Sequence, residues 1–311
     1  MLLTPTGTDL FNSLSRTELT RLSVEISELQ GQIATGKKDP RPSSDLLGAV
    51  QLSAAREREG ALDRYGQNAF RASARLDQAD VALTDATDIM RRTRDLALQT
   101  LTDTVSDEMR QSIAEEVRLL QDALLAVGNT RDEAGNMLFG GLSAATEPFT
   151  VVTDPLGVVP DFVTYQGTSA VQQVAVSDSL TIDMGINGQE AFGTGIPNGS
   201  FEAMDNFIAL LEAGGTPPAG VTRETVIDGL DAATDRFVDA RTRVGALSAT
   251  AARQSDVISA QQANLDVSIS QLEDLDLADA ITRLQEALLT RDAAQQTYAT
   301  IAQRSLFDLL R

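Results

Sequence analysis

Acidic residues outnumber lysine plus arginine by 45 to 25 in this chain of 311 residues and 33.2 kDa, and the net charge of −20 disfavours nucleic acid and anionic membrane surfaces as partners. Cysteine and histidine are both absent, which excludes disulfides, thiol nucleophiles and the commonest general base and transition-metal ligand. Tryptophan is missing too, so the apolar 42% is mostly Ala, Leu and Val, a composition for packing helices and for a structural protein rather than an enzyme.

The chain begins Met1-Leu2-Leu3-Thr4-Pro5, with neither the basic n-region nor the apolar h-region of a cleaved signal. No window approaches the ~18 apolar residues of a membrane span. The spacing predicts a helix over 8–35, because Leu19, Leu22, Ile26, Leu29 and Ile33 recur at steps of three and four. Gly36 can end that helix, and Pro40 and Pro42 lack the amide donors to continue it. Ser43 or Ser44 can cap the next helix, with Asp45 in its first turn. That helix is long: Leu62, Tyr65, Ala69, Ala72, Leu76, Ala79, Leu83, Ala86 and Met90 keep the same spacing. Ser106 then offers an N-cap for a helix from Asp107 to Val127.

Helical periodicity stops at 141–198. Short β-branched runs replace it at Phe149–Thr153, Phe162–Tyr165, Val171–Val176 and Leu180–Met184, with turn signals at Asp154-Pro155, Gln166-Gly167 and Asn187-Gly188. No Lys or Arg occurs between Arg131 and Arg223, where eleven acids lie, so this region is anionic and suited to solvent. A helix returns over 201–211, followed by a Gly- and Pro-rich loop at 214–220.

The last segment holds a heptad register from Val226 to Leu272, and a second series runs Ile281, Leu284, Leu288, Arg291, Gln295, Tyr298, Ala302. The two registers differ by two residues, which predicts a joint within Leu272–Asp279. The organisation is mirrored, with a terminal helix and a joint at each end of two long helices. These patterns predict a mainly α chain. A long antiparallel, coiled-coil-like bundle from the N- and C-terminal halves carries a small β-rich insert. The expected division is 1–42 plus 276–311 as a terminal coiled-coil domain, 43–140 plus 199–275 as a helical bundle, and 141–198 as an exposed β-rich domain. The stripe Leu19, Leu22, Ile26, Leu29 and Ile33 is expected to meet Ile281, Leu284, Leu288, Tyr298 and Ala302 in an assembly seam. Those short ends have little core of their own, and helices of that kind depend on tertiary packing.

No catalytic, cofactor or metal site is expected. Glu273, Asp274, Asp276 and Asp279 are acidic neighbours, but they lack the glycine of a calcium loop and suit a solvated joint or a helix N-terminus. Glu115 and Glu116 are adjacent on a helix and point about 100° apart, so they cannot close on one substrate. Gly140-Gly141 and Gly214-Gly215 lack the spacing and the lysine of a phosphate loop.

Particular segments carry a resemblance. Leu29–Lys37 with Pro42–Asp45 and Gly48-Ala49 resembles the N-terminal signature of flagellins and flagellar hook-associated proteins, departing from it at Ser43-Ser44-Asp45. Arg94–Thr100, Asn129–Asp132, Leu138–Gly141, Pro148-Phe149, Tyr165–Gly167, Arg241–Ala246 and Ser305–Leu310 are similar to the hook-associated branch. The resemblance implies a structural subunit that self-associates in a ring where hook meets filament. It also implies export through the flagellar type III apparatus with a chaperone and without a cleaved signal. Other hook-associated proteins and flagellin are the implied partners, and the flagellum outside the cell the implied location. The alternatives are a flagellin of the filament itself, or a carbohydrate- or protein-binding module carried by the β insert.

Overall fold

The computed structural model describes residues 5–38, 45–100, 105–143, 146–153, 161–194, 199–213 and 219–309, with side chains from 13 to 300. Among these residues the order is α1 (Pro5–Thr35), α2 (Leu46–Thr100), α3 (Asp107–Gly128), β1 (Phe149–Val152), β2 (Phe162–Tyr165), β3 (Gln173–Ala175), β4 (Thr181–Asp183), α4 (Gly188–Phe192), α5 (Ser200–Glu212), α6 (Arg223–Glu273) and α7 (Leu277–Leu309). The chain is mainly α, as its periodicity predicts. Two antiparallel hairpins occupy the middle, β1 with β2 from Phe149↔Tyr165 to Val152↔Phe162, and β3 with β4 from Gln173↔Asp183 to Ala175↔Thr181.

Local chemistry sets the helix ends. Ser106 caps α3 by accepting from the Met109 amide at 3.3 Å. At α2 the cap is Asp45, whose Oδ1 accepts from Gly48 N–H at 2.8 Å. The sequence reading puts Asp45 inside the first turn, and the structure makes it the cap instead; Ser43 and Ser44 lie outside the described residues. Asn187-Gly188, expected as a turn, instead starts α4. Asn187 Oδ1 takes the Glu190 amide at 2.8 Å, and the same side-chain oxygen that favours turns serves as an N-cap.

The chain divides into two units, residues 1–60 with 262–311, and residues 61–261. Both cuts fall inside the long helices α2 and α6. In the second unit these helices run antiparallel. Asp77 accepts from Ser248 at 2.9 Å, Asp80 pairs with Arg241 at 3.0 Å, and Arg94 pairs with Asp231. Leu76, Leu83 and Met90 of α2, Val117 and Leu124 of α3, Met204 and Phe207 of α5, and Leu230 and Phe237 of α6 form one core.

The insert belongs to that core. Phe149, Ile186 and Phe192, all expected within a separate exposed domain, are buried beside the helical residues. Phe192 is the hub, with ring centroids of Phe149 at 4.7 Å, Phe237 at 5.0 Å, Phe139 at 5.3 Å and Phe201 at 6.1 Å. Two glycines admit the Phe149 ring: a Cβ on Gly128 or Gly188 would lie within 2.7 Å of it. The second hairpin lies over α2 and α6, where Val176 and Ile182 pack on Ala69, Ala72 and Ala251. Asn68 and Gln254 donate to the carbonyls of Ala175 and Val176 at 2.8 and 3.2 Å, which ties that hairpin's backbone to both helices.

Candidate assembly seam

In the first unit α1 packs on α7, so the first and last helices of the chain meet. The α1 stripe faces inward as its spacing dictates. Leu22 and Ile26 are buried, and Leu19, Leu29 and Ile33 are half-buried. Among the described side chains of α7 the buried positions are Ala280 and Ala287. Leu284, Arg291, Ala294 and Tyr298 are half-buried, so the inward face runs 280, 284, 287, 291, 294, 298, a heptad alternation of four and three.

That places the expected α7 residues unevenly. Leu284 and Tyr298 lie on the inward line, Leu288 flanks it half-buried, and Ile281 is 43% exposed. The side chain of Ala302 lies outside the described residues. Ala280 and Ala287 were not singled out from the sequence. The signal was present in the alanines at 280, 287 and 294, seven residues apart, but larger neighbours one position on drew the stripe toward 281 and 288. Small residues on a seam let two helix backbones approach closely, and little apolar area is covered when they do.

A polar clamp closes the joint at one end of the seam. Glu273, 7% exposed, takes Arg56 at 2.6 Å and Lys37 at 3.2 Å. The backbone is tied across the same place, Lys38 N–H to Glu273 O at 2.6 Å and Leu275 N–H to Gly36 O at 3.0 Å. Gly36 has φ +71°, a left-handed position suited to glycine. α6 ends at Glu273 and α7 starts at Leu277, so the helix breaks inside the segment where the two heptad registers disagree. Asp276 caps α7 through the amides of Ala278 and Asp279 at 3.0 and 3.1 Å. The acidic cluster is thus used by a cap and by a clamp. On the outer side of α1, hydrogen bonding from Arg21 holds the exposed Glu18 carboxyl below its ordinary 4.5.

The motifs that carry the resemblance do structural work in the second unit. Asn129 holds the Phe149 backbone from both sides, accepting its amide at 3.0 Å and donating to its carbonyl at 2.9 Å. Arg75 pairs with Asp132 and donates to the Met137 carbonyl at 2.7 Å, which fixes the loop that delivers Phe139 to the core. Tyr165 donates to Phe139 O at 2.8 Å, and burial raises its hydroxyl above the ordinary 10.0. Arg241 and Arg243 hold Asp80 and Glu190. None of these groups is placed as a nucleophile with its base. Among the described residues no group of acids could hold a metal ion, and no helix is long and apolar enough to cross a membrane.

Comparison with known proteins agrees with this architecture. Residues 8–144 match the bacterial flagellin N-terminal helical region, and residues 227–310 match the bacterial flagellin C-terminal helical region. Flagellar hook-associated protein 3 of Escherichia coli is 27% identical over 229 residues, 68% of each chain. Flagellar hook-associated protein 3 of Salmonella typhimurium is 24% identical over 94% of this chain and 95% of its own. Among solved structures, flagellar hook-associated protein-3 from Legionella pneumophila has the same fold, with a TM-score of 0.61 at 15% identity over 71% of this chain and 98% of that one.

Proposed function

Because the chain belongs to the superfamily of flagellins and flagellar hook-associated proteins, and is a flagellar structural protein rather than an enzyme, we propose that it is the subunit joining hook to filament. In this reading copies self-associate in a ring, with other hook-associated proteins on one side and flagellin on the other. The observation that supports the proposal is the pairing of the first and last helices, α1 and α7, in a chain that aligns over 94% of its length with a hook-associated protein 3.

The pair is not covered by its own unit. Leu14 and Val24 on α1, and Leu277, Ile281 and Leu289 on α7, stand 43–73% exposed. Apolar side chains at that density on a pair of helices mark a surface for further helices. We assign the seam to Leu19, Leu22, Ile26, Leu29, Ile33, Leu284, Leu288, Tyr298 and Ala302, with Ile281 on the face toward neighbouring copies. The terminal residues 1–42 and 276–311 act as the assembling domain. Export proceeds through the flagellar type III apparatus with a dedicated chaperone and without cleavage of a signal, and the protein ends up outside the cell.

A second reading is flagellin itself, favoured by the two flagellin region matches. Electron microscopy of flagella from a strain lacking the chain separates the two. Hooks without filaments, with filament subunits shed into the medium, support the junction. A missing filament above an intact junction supports flagellin, and normal filaments on normal hooks overturn both.

A further inference from the structure

The second unit has two surface features that its own packing leaves unused. One is a groove of roughly 630 Å³ between α3, α5 and the β1–β2 hairpin. Val163 and Ile208 line it, Phe162 stands at its lip 49% exposed, and Asp122, Asp161 and Asp205 surround this apolar surface. Asp205 accepts from Gln121 Nε2 at 2.6 Å. None of the three carboxylates is ion-paired among the described residues. Arg118 is the one base in the lining, and Glu115 and Glu212 already hold it. The absence of Lys and Arg between Arg131 and Arg223 means that neither the hairpin nor α5 brings a cation to this face.

The other feature lies on α2. Phe70 is 72% exposed, the highest value for an aromatic ring among the described residues. A lone exposed ring is ordinary on a protein surface. This one borders a stripe formed by Arg64, Gln67 and Arg71, three and four residues apart on the same helix face. Arg71 bonds only Gln67 O and Asn68 Oδ1, at 3.3 and 2.9 Å, and neither arginine meets a carboxylate among the described residues. An apolar knob beside two guanidiniums without a counter-charge is thus present in the same chain as an apolar groove beside three carboxylates without one.

We propose that Phe70 of one copy docks in the groove of a second copy, with Arg64 and Arg71 facing Asp122 and Asp161. This deepens the assembly reading above and rests on it. A chain cannot make the contact with itself. α3 runs back along α2 from the Arg92–Glu116 pair towards the Arg75–Asp132 pair, which sets Asp122 about 16 residues, or about 24 Å, from Phe70 along the helix. Made head to tail, the contact repeats from copy to copy into a ring or a helical row, as the assembly reading requires, whereas a reciprocal pair with each knob in the other's groove stops at a dimer and gives a single cross-linked band. The axial offset between knob and groove sets the stagger of neighbouring subunits.

The absence of cysteine makes the test direct. Full-length chain carrying Gln67→Cys and Ala209→Cys puts one thiol beside the knob and one in the groove, and a short bismaleimide then joins copies. The expected product is a ladder of covalent oligomers. Adding Phe70→Ser, or Arg64→Glu with Arg71→Glu, lowers its yield at least about tenfold with unchanged helical content. Adding Asp122→Arg and Asp161→Arg to the charge-reversed chain restores it. Moving the first thiol to the position of Val81, also exposed on α2, gives no ladder. A ladder indifferent to Phe70 and the arginines reports random collision and overturns the proposal, as does the absence of any ladder. In intact flagella, cross-linking of the Ala209→Cys thiol to a different protein overturns it by assigning the groove to that partner. The assembly reading fails separately, when a strain lacking the chain keeps normal filaments.

Discussion

The two units bury their apolar residues by opposite means. Residues 61–261 close around an aromatic hub, with Phe139, Phe149, Phe192, Phe201 and Phe237 drawn from five segments and almost fully buried. The α1–α7 pair buries Leu22 and Ile26 against Ala280 and Ala287 and leaves Leu14, Val24, Leu277 and Leu289 in solvent. A buried Phe contributes roughly 1.5–3 kcal/mol by area, and an aromatic pair about 0.5–1.5 more. An alanine seam has no comparable reserve. One unit is thus complete within a single copy, whereas the other leaves large apolar side chains exposed, which the proposed assembly would cover.

The largest effect comes from breaking the complete unit. Phe192→Ala removes the ring that touches four others and should cost about 3–5 kcal/mol. In a unit of this size that lowers Tm by about 10 °C, read by circular dichroism. Deleting 141–198 should abolish the transition, because Phe149 and Phe192 leave with it. A deletion that still melts cooperatively would return the insert to the status of an independent domain.

Breaking the incomplete unit should look different. Leu22→Asp places a carboxylate where the side chain is 3% exposed, and losing the leucine contact alone removes up to about 2–5 kcal/mol from the seam. The main thermal transition should stay in place. Amides of α1 and α7 should lose protection from hydrogen exchange, and the secreted chain should fail to retain filaments. In the unaltered, dissociated chain those same amides should already exchange faster than those of α2 beyond residue 61. Equal protection of both units in a monomer would remove the contrast.

A smaller effect is expected at the clamp. Glu273→Gln keeps a hydrogen-bond acceptor but gives up the charge that holds Lys37 and Arg56. Both cations are 56% exposed and partly screened, so the loss is about 1 kcal/mol, or fivefold in local opening. Lys37 and Lys38 are the only lysines in the chain, so endoproteinase Lys-C reads this joint and nothing else. Cleavage should quicken about fivefold in the variant, and an unchanged rate would show that the backbone bonds alone keep the joint shut.

The same contrast decides what the sequence reveals. Regular 3,4 spacing of Leu and Ile suffices to orient α1, and the register slip at 272–279 suffices to place a helix break. Both are local patterns with a fixed period. The inward face of α7 is harder to read, because Ala280 and Ala287 define it and Ile281 and Leu288 outweigh them in hydrophobicity. The aromatic hub has no period at all. Phe149 reaches it through a hairpin, Phe192 through a single helical turn capped by Asn187, and Phe139 through a loop fixed by Arg75 and Asp132. Those are long-range arrangements, so a segment with β-strand chemistry resembles an exposed insert until its partners are known. The groove and knob escape for the same reason: Asp122, Asp161 and Asp205 are ordinary surface acids until α3, α5 and the hairpin bring them to one place.

The smallest expected effect is at Asp205, and it sharpens the contrast by setting stability against association. Burial raises the Asp205 carboxyl above its ordinary 3.8, opposed by the Gln121 hydrogen bond and aided by the nearby Glu202 charge. A raised carboxyl binds its proton more tightly in the folded chain than in the unfolded one. Stability therefore falls as pH rises from the unfolded value through the folded one, and the penalty is complete above that window. Asp205→Asn removes the penalty and keeps an oxygen for Gln121. The variant should melt above the parent at pH 7, and the gain should vanish as pH drops below 3.8. A gain that persists in acid would trace to packing rather than to charge. In the cross-linking ladder the same substitution should act in the other direction, since it takes one carboxylate from the groove that faces the neighbour's arginines. A chain that becomes more stable alone and less able to join its copies is the outcome expected of a charge kept at a cost to the fold for the sake of a contact. An equal or higher ladder yield with Asp205→Asn would show that Asp205 has no part in that contact.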